Sequence, residues 1–295
     1  MDRRQLMQFG GALTLSALSP PLPAEDRRIP RRVVPRTGEA LPIIGMGNSS
    51  VFRNGDRKAS WKLIRVFQEF GSSYIDAGGD SRFVVADVVA DHGLGDSVFL
   101  GTYFSGGDDA ASRAEAKRLL ETTGKSELDL MQAWPEDAVP HWDVFRKWRD
   151  DGLTRCIGVA RHQKEYYPAM LDLMATGTVD FLQVNYSPLE TEADMRVLPM
   201  AMDKGVAVTI NRPFLNGRYF EIVRGRKLPE WAADFDCESW AQFALKFILS
   251  HPAVNCVLTE TANPKHARDN LRAGFGRLPG AKERRQMTDL LQSLS

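Results

Sequence analysis

The sequence predicts an α/β fold closed as one (β/α)8 (TIM) barrel, on three observations. From Gly38 onward, short β-rich runs alternate with longer helix-compatible windows, the pattern of parallel strands joined by right-handed crossovers. The 295 residues leave room for one barrel of roughly 250 residues. No glycine-rich GxGxxG turn follows the first strand, as an open doubly wound sheet would favour.

The elements follow in order. Residues 1–24 begin with Arg3 and Arg4, continue through a mildly apolar run from Phe9 to Leu18, and end in Pro20, Pro21 and Pro23 before Ala24. This is the three-part plan of an export signal of the twin-arginine type, so the expected location is periplasmic or otherwise exported. An attached amphipathic helix is the alternative. Residues 25–37 are basic and punctuated by prolines, and are expected to be a linker to the barrel at 38–295. Strand runs are expected at Tyr74–Asp76, Val98–Leu100, Leu128–Gln132, Arg155–Val159, Phe181–Val184, Val206–Ile210 and Cys256–Leu258. Apolar residues at helical spacing predict helices over Trp61–Phe70, Ala111–Thr122, His141–Asp150, Tyr166–Ala175 and Trp240–Leu249, with a last one over Ala281–Leu294. Gly71, Gly124, Gly152, Gly177 and Gly205 mark helix-to-strand turns.

Composition excludes several classes. Thirty-eight Lys+Arg balance 38 Asp+Glu, so the chain lacks the basic excess that neutralises nucleic-acid phosphates. No apolar run reaches the ~18 residues of a membrane span. The three cysteines, Cys156, Cys237 and Cys256, form neither a disulfide framework nor a CxxC pair. His92, His141 and His251 carry no metal-ligand spacing, so no metal is expected. In a barrel the chemistry lies just past the strand ends. The candidates are therefore Asp76–Arg82, Gly101–Phe104, Ala133–Asp137, Ala160–His162, Asn185–Ser187, Asn211–Arg218 and Thr259–Asn263.

Several segments, in this order, resemble the aldo-keto reductase family: Leu41-Pro42-Ile43-Ile44-Gly45-Met46-Gly47, Tyr74-Ile75-Asp76, Leu128–Pro135, Arg155–Val159, Phe181–Ser187, Phe247–Pro252, Thr261–Asn263 and Asp269-Asn270. The resemblance implies NADPH-dependent carbonyl reduction. In that family a tyrosine donates the proton, a lysine paired with an aspartate lowers the tyrosine's pKa, and a histidine orients the carbonyl. A free phenol, with pKa ≈ 10, needs such help at neutral pH. By this resemblance the aspartate is Asp76, the tyrosine position is Ser81, the lysine position is Tyr103 and the histidine position is Ala133. Three of the four positions are thus replaced.

For a cofactor, NADP or NAD, the resemblance implies Gln183 at the carboxamide, the Phe214, Leu215 and Gly217 loop at the diphosphate, and Thr261, Asn263, Asp269 and Asn270 at the adenosine end. Ala160-Arg161 stand where a serine–asparagine pair is usual, and Asn211 where a stacking aromatic is usual. Glu260 stands where NADPH-dependent members often carry a cation, and Lys265 or Arg268 are the compensating candidates. Asp76 reads equally as a turn cap. Tyr103 reads as a mouth-lining aromatic. Arg161, Arg212 and Arg218 are expected to pair with Asp80, Asp137 or Glu190.

Two functions follow: an aldo-keto reductase-like oxidoreductase acting on a small carbonyl through an altered site, or an exported pseudoenzyme that binds a ligand or protein, needs no cofactor and has lost hydride chemistry. A non-redox enzyme built on Arg161, His162 and Arg212 is a third, with no substrate selected. The expected partners are a small-molecule substrate or ligand and the twin-arginine export machinery.

Overall fold

A computed structural model of the protein describes residues 28–294. The expected export signal lies outside the described residues. Eight parallel strands form a closed barrel: β3 (Ile44–Met46), β4 (Tyr74–Ala77), β5 (Phe99–Tyr103), β6 (Leu128–Ala133), β7 (Thr154–Arg161), β8 (Phe181–Asn185), β9 (Ala207–Asn211) and β10 (Val254–Thr259). Closure comes from β10, which pairs in parallel with both β9 and β3. Each expected strand run falls on one of these, with ends within two residues except that Val98–Leu100 stops three short of Tyr103.

Outside the barrel lie α1 (Ser50–Arg53), α2 (Arg57–Glu69), α3 (Ser81–Asp91), α4 (Asp109–Thr123), α5 (Pro135–Asp150), α6 (Tyr167–Ala175), α7 (Val197–Lys204), α8 (Arg218–Ile222), α9 (Trp240–Leu249), α10 (Pro264–Arg272) and α11 (Ala281–Leu294). Local chemistry explains their starts. Asp56 and Asp108 cap α2 and α4 by accepting from the amides of Ala59 and Ala111. Pro135 opens α5, with Glu136 and Asp137 in its first turn facing the positive end of the helix dipole. The five glycines expected at turns all have φ between 65° and 74°, in the left-handed region. α3, which carries valines at 84, 85, 88 and 89, has no counterpart among the expected helices. Among the described residues no helix is long and apolar enough to cross a membrane.

Two cores hold the barrel. One lies between strands and helices. The other fills the barrel interior with Tyr74, Phe99, Leu130, Cys156, Phe181, Ala207, Cys256 and Leu258. The antiparallel hairpin of β1 (Arg31–Val33) and β2 (Ala40–Pro42) closes the bottom of this second core with Val34 and Leu41, both fully buried.

Within the stretch expected as a linker, Arg31, Arg32 and Arg36 are built into the fold. Arg31 Nε donates to Ala40 O at 2.9 Å. Arg32 donates to the carbonyls of Leu249, the last residue of α9, and Val254, the first of β10. Arg36 donates to Gly177 O at 2.8 Å and pairs with the buried Asp180. Nearby, Asp129 is held by Lys125 at 3.0 Å and Arg155 at 2.5 Å. Asp180 also accepts from Arg149 at 3.0 Å and from the Ile157 amide at 2.9 Å. The closed end is therefore a saturated ionic layer beneath an apolar plug.

Candidate functional site

At the open end the barrel interior turns polar. Strand alternation carries β4, β6 and β8 from Tyr74, Leu130 and Phe181 to Asp76, Gln132 and Gln183, two residues further on. Gly101 makes room for this layer, since a Cβ there would lie 2.9 Å from Asp76 Oδ1. Gln132 Nε2 donates to Asp76 Oδ1 at 2.6 Å. Asp76 Oδ2 lies 3.4 Å from the Tyr103 hydroxyl, which donates to Gln183 Oε1 at 2.9 Å. Asn211 Nδ2 donates to the same Gln183 oxygen at 3.2 Å. Asp76 therefore does not cap a turn. Asp80 occupies the N-cap of α3.

Asp76 is 5% exposed, and no ion pair to it is formed among the described residues. Burial pushes its pKa up to about 7, with the carboxylate of Glu260 adding to the rise and the Gln132 bond opposing it. Burial, with Asp76 beside it, also drives Tyr103 well above the usual phenol range. Three amide atoms of this layer are buried without a protein partner: Gln132 Oε1, Gln183 Nε2 and Asn211 Oδ1. Buried amide atoms are normally bonded, so a polar ligand group is the natural complement here.

The other expected residues divide. Ser81 begins α3 and donates to Asn48 Oδ1 at 2.6 Å. Ala133 is buried at the end of β6. Arg161 pairs with Glu136 at 2.6 Å between the rings of Trp134 and Tyr166, and Arg212 Nε donates to Asn216 Oδ1 at 3.1 Å, so neither takes the partner expected for it. His162 is partly buried, and burial together with Arg212 and Arg161 lowers its pKa.

Two adjoining cavities, which share Phe214, Phe220 and Glu260, lie past the ends of β9 and β10, and Glu260 is the group whose charge reaches Asp76. The inner one, about 470 Å³, is lined by Arg53, Arg212, Phe214, Asn216, Gly217 and Glu260. Its loop is strained. Arg212, Leu215 and Asn216 have φ of 48°, 51° and 55°, and among the described residues only Asp236 is a further non-glycine with positive φ. Such strain gathers at functional sites, and successive left-handed residues turn backbone amides toward an anion. The outer cavity, about 390 Å³, has aromatic walls in Phe214, Phe220 and Trp240 and polar groups in Ser239, Glu260, Thr261, His266, Asp269 and Asn270. Glu260 lines both, packs over Gly47 and lies 3.5 Å from Arg53. Burial raises its pKa, against the pull of Arg53 and Arg212.

Of the residues the resemblance assigns to a cofactor, Phe214, Gly217, Thr261, Asp269 and Asn270 line these cavities. Leu215 is buried beneath the loop, and Asn263 instead caps α10 by accepting from the Lys265 amide. Arg53, Phe220 and Trp240 were not anticipated. They come from α1, α8 and the start of α9, away from strand ends, and only tertiary packing brings them to the cleft.

The aldo/keto reductase family profile matches residues 44–282. No curated protein matches the sequence. Among solved structures, the holo form of aldo-keto reductase AKR11C1 from Bacillus halodurans superposes with a TM-score of 0.69 at 18% identity, covering 90% of this chain and 96% of that one. An aldo-keto reductase from Klebsiella pneumoniae in complex with NADPH gives 0.71 at 18% identity, with 89% and 95% covered. A Klebsiella pneumoniae aldo/keto reductase in complex with NADP and acetate gives 0.68 at 20%, with 89% and 96% covered.

Proposed function

The chain belongs to the aldo/keto reductase family, and on that premise we propose that it is a nicotinamide-dinucleotide-dependent oxidoreductase that reduces a small carbonyl through a reorganised proton-delivery pair, Asp76 and Tyr103. The observation that carries this reading is the directed chain Asp76 Oδ2, Tyr103 hydroxyl, Gln183 Oε1 at 3.4 and 2.9 Å, at the end of a cleft lined for a nucleotide. NADP-bound relatives of the same fold support the cofactor class.

The residues fit such a cofactor. The unpartnered Gln183 Nε2 is a buried donor for a carboxamide oxygen. Arg53, Arg212 and the strained loop suit a diphosphate, and the aromatic cavity suits a nucleoside. When bound, the reduced nicotinamide supplies the hydride.

The protein supplies the proton. Gln132 occupies Asp76 Oδ1, so the carboxyl hydrogen sits on Oδ2, facing Tyr103. Tyr103 gives its hydrogen to the carbonyl oxygen in place of Gln183 and is reprotonated by Asp76. The phenol need never become a free phenolate, which its raised pKa would forbid. Carbonyl, hydride and proton make the alcohol, and Asp76 leaves as carboxylate to be reprotonated from solvent.

The second reading, a ligand-binding pseudoenzyme, is favoured by Ser81 and Ala133 at two positions that the resemblance makes catalytic. Following the absorbance of the reduced nicotinamide over a carbonyl panel separates the two: turnover that Tyr103→Phe abolishes supports the oxidoreductase, and binding without turnover supports the pseudoenzyme.

Export of the folded chain by the twin-arginine route is part of the proposal, supported by Arg3, Arg4 and the apolar run that follows. Fractionation of cells expressing the full chain tests it. Retention of wild type in the cytoplasm would end it, and retention of the Arg3→Lys/Arg4→Lys variant alone would support it.

A further inference from the structure

The charges along the cleft are unevenly divided. The inner cavity has two guanidiniums, Arg53 and Arg212, against the single carboxylate of Glu260. The outer cavity is lined by two carboxylates, Glu260 and Asp269, and by no lysine or arginine among the described residues. Its remaining ionisable group is the imidazole of His266. The two cations that sequence offered as compensation do not serve. Arg268 is turned away into an ion pair with Glu69 at 2.5 Å, and Lys265 does not line the cavity. Asp269 is fixed by Ser239 Oγ and Gln242 Nε2, each at 2.7 Å, so it cannot swing out of the site. Glu260, by contrast, has half its side chain open to the cleft, and its carboxylate is free to accept further hydrogen bonds.

We propose that this cleft selects the dinucleotide whose adenosine ribose carries free hydroxyls over the one carrying a 2′-phosphate, with Glu260 as the specificity-determining residue. The inference rests on the nucleotide reading of the cleft and deepens it. Arg53 and Arg212 meet the two phosphates of the diphosphate. A third phosphate would enter a cavity that offers it two carboxylates and no guanidinium, and like charges so placed discriminate strongly. A ribose diol is instead a donor pair for which an acidic side chain is the usual acceptor.

Calorimetry on the purified full chain with NADH, NADPH, ADP and 2′-phospho-ADP tests this. NADH and ADP are expected to bind at least ~10-fold more tightly than their 2′-phosphorylated counterparts. Glu260→Gln, nearly isosteric, should narrow the ratio, and Glu260→Lys should reverse it. Equal or tighter binding of NADPH by wild type overturns the proposal while leaving the nucleotide reading intact. A ratio unchanged in Glu260→Gln overturns Glu260 as the determinant. Failure of all four ligands to bind overturns the proposal together with the nucleotide reading beneath it.

Discussion

The two ends of the barrel treat buried aspartate in opposite ways. At the closed end Asp129 and Asp180 are each held by two cations, and each also accepts a backbone amide. At the open end Asp76 is equally buried but has only neutral partners, and its neighbours leave three amide atoms unbonded. A buried carboxylate with cations contributes to holding the fold together. One without them shifts its pKa toward neutrality and becomes a group able to exchange a proton. The difference is one of supply: the hairpin, β7 and the ends of α4 and α5 bring cations to the bottom, and Tyr103 brings a phenol to the top.

Breaking the closed end should have the largest effect on stability. Asp180→Ala strands Arg149, Arg36 and the Ile157 amide, and should cost about 3–5 kcal/mol, read as a fall in Tm of roughly 10 °C. Leu41→Ala, which opens a hole in the plug, should cost about 2–5 kcal/mol by denaturant unfolding.

The same manipulation at the open end should have the opposite sign. Asp76 has a folded-state pKa raised from 3.8 to about 7, so the stability it contributes is present at low pH and is lost as pH rises through about 7. Asp76→Asn should therefore raise stability at about pH 8 by an amount on the order of a few kcal/mol, read as a higher Tm, and should flatten the decline of Tm between about pH 4 and pH 7. A variant less stable than wild type at about pH 8 would mean that Asp76 has a cation after all.

Smaller effects sharpen the contrast. Tyr103→Phe removes one hydrogen bond and should cost only about 1 kcal/mol, while turnover falls by ~10²-fold or more. At the surface, Arg57→Ala removes an exposed pair with Asp91 and should change stability by less than ~1 kcal/mol.

What was legible in the sequence follows from the range of the interactions. The strand runs could be read from local pattern, and a place at or just past a strand end assigns Asp76 and Tyr103 to the mouth without knowledge of their neighbours, whereas Gln183, inside its strand, was legible only through the family resemblance. The hairpin arginines could not. A run of basic residues and prolines looks solvated, and the partners of Arg32 and Arg36 lie 217 and 141 residues away, at Leu249 O and Gly177 O. Arg53 and Trp240 stayed hidden for the same reason. The replacements at Ser81 and Ala133 were visible, but the arrangement in their place, Gln132 fixing one oxygen of Asp76 so that the other faces Tyr103, is a matter of geometry that spacing does not encode.

The pH dependence of kcat for carbonyl reduction, measured at saturating nucleotide on wild type and Asp76→Asn, tests the proton-delivery account most directly. The account predicts a wild-type kcat that falls as pH rises through about 7 and an Asp76→Asn variant that is slower and lacks this inflection. A flat wild-type profile, the same inflection in the variant, or no turnover at any pH would contradict it.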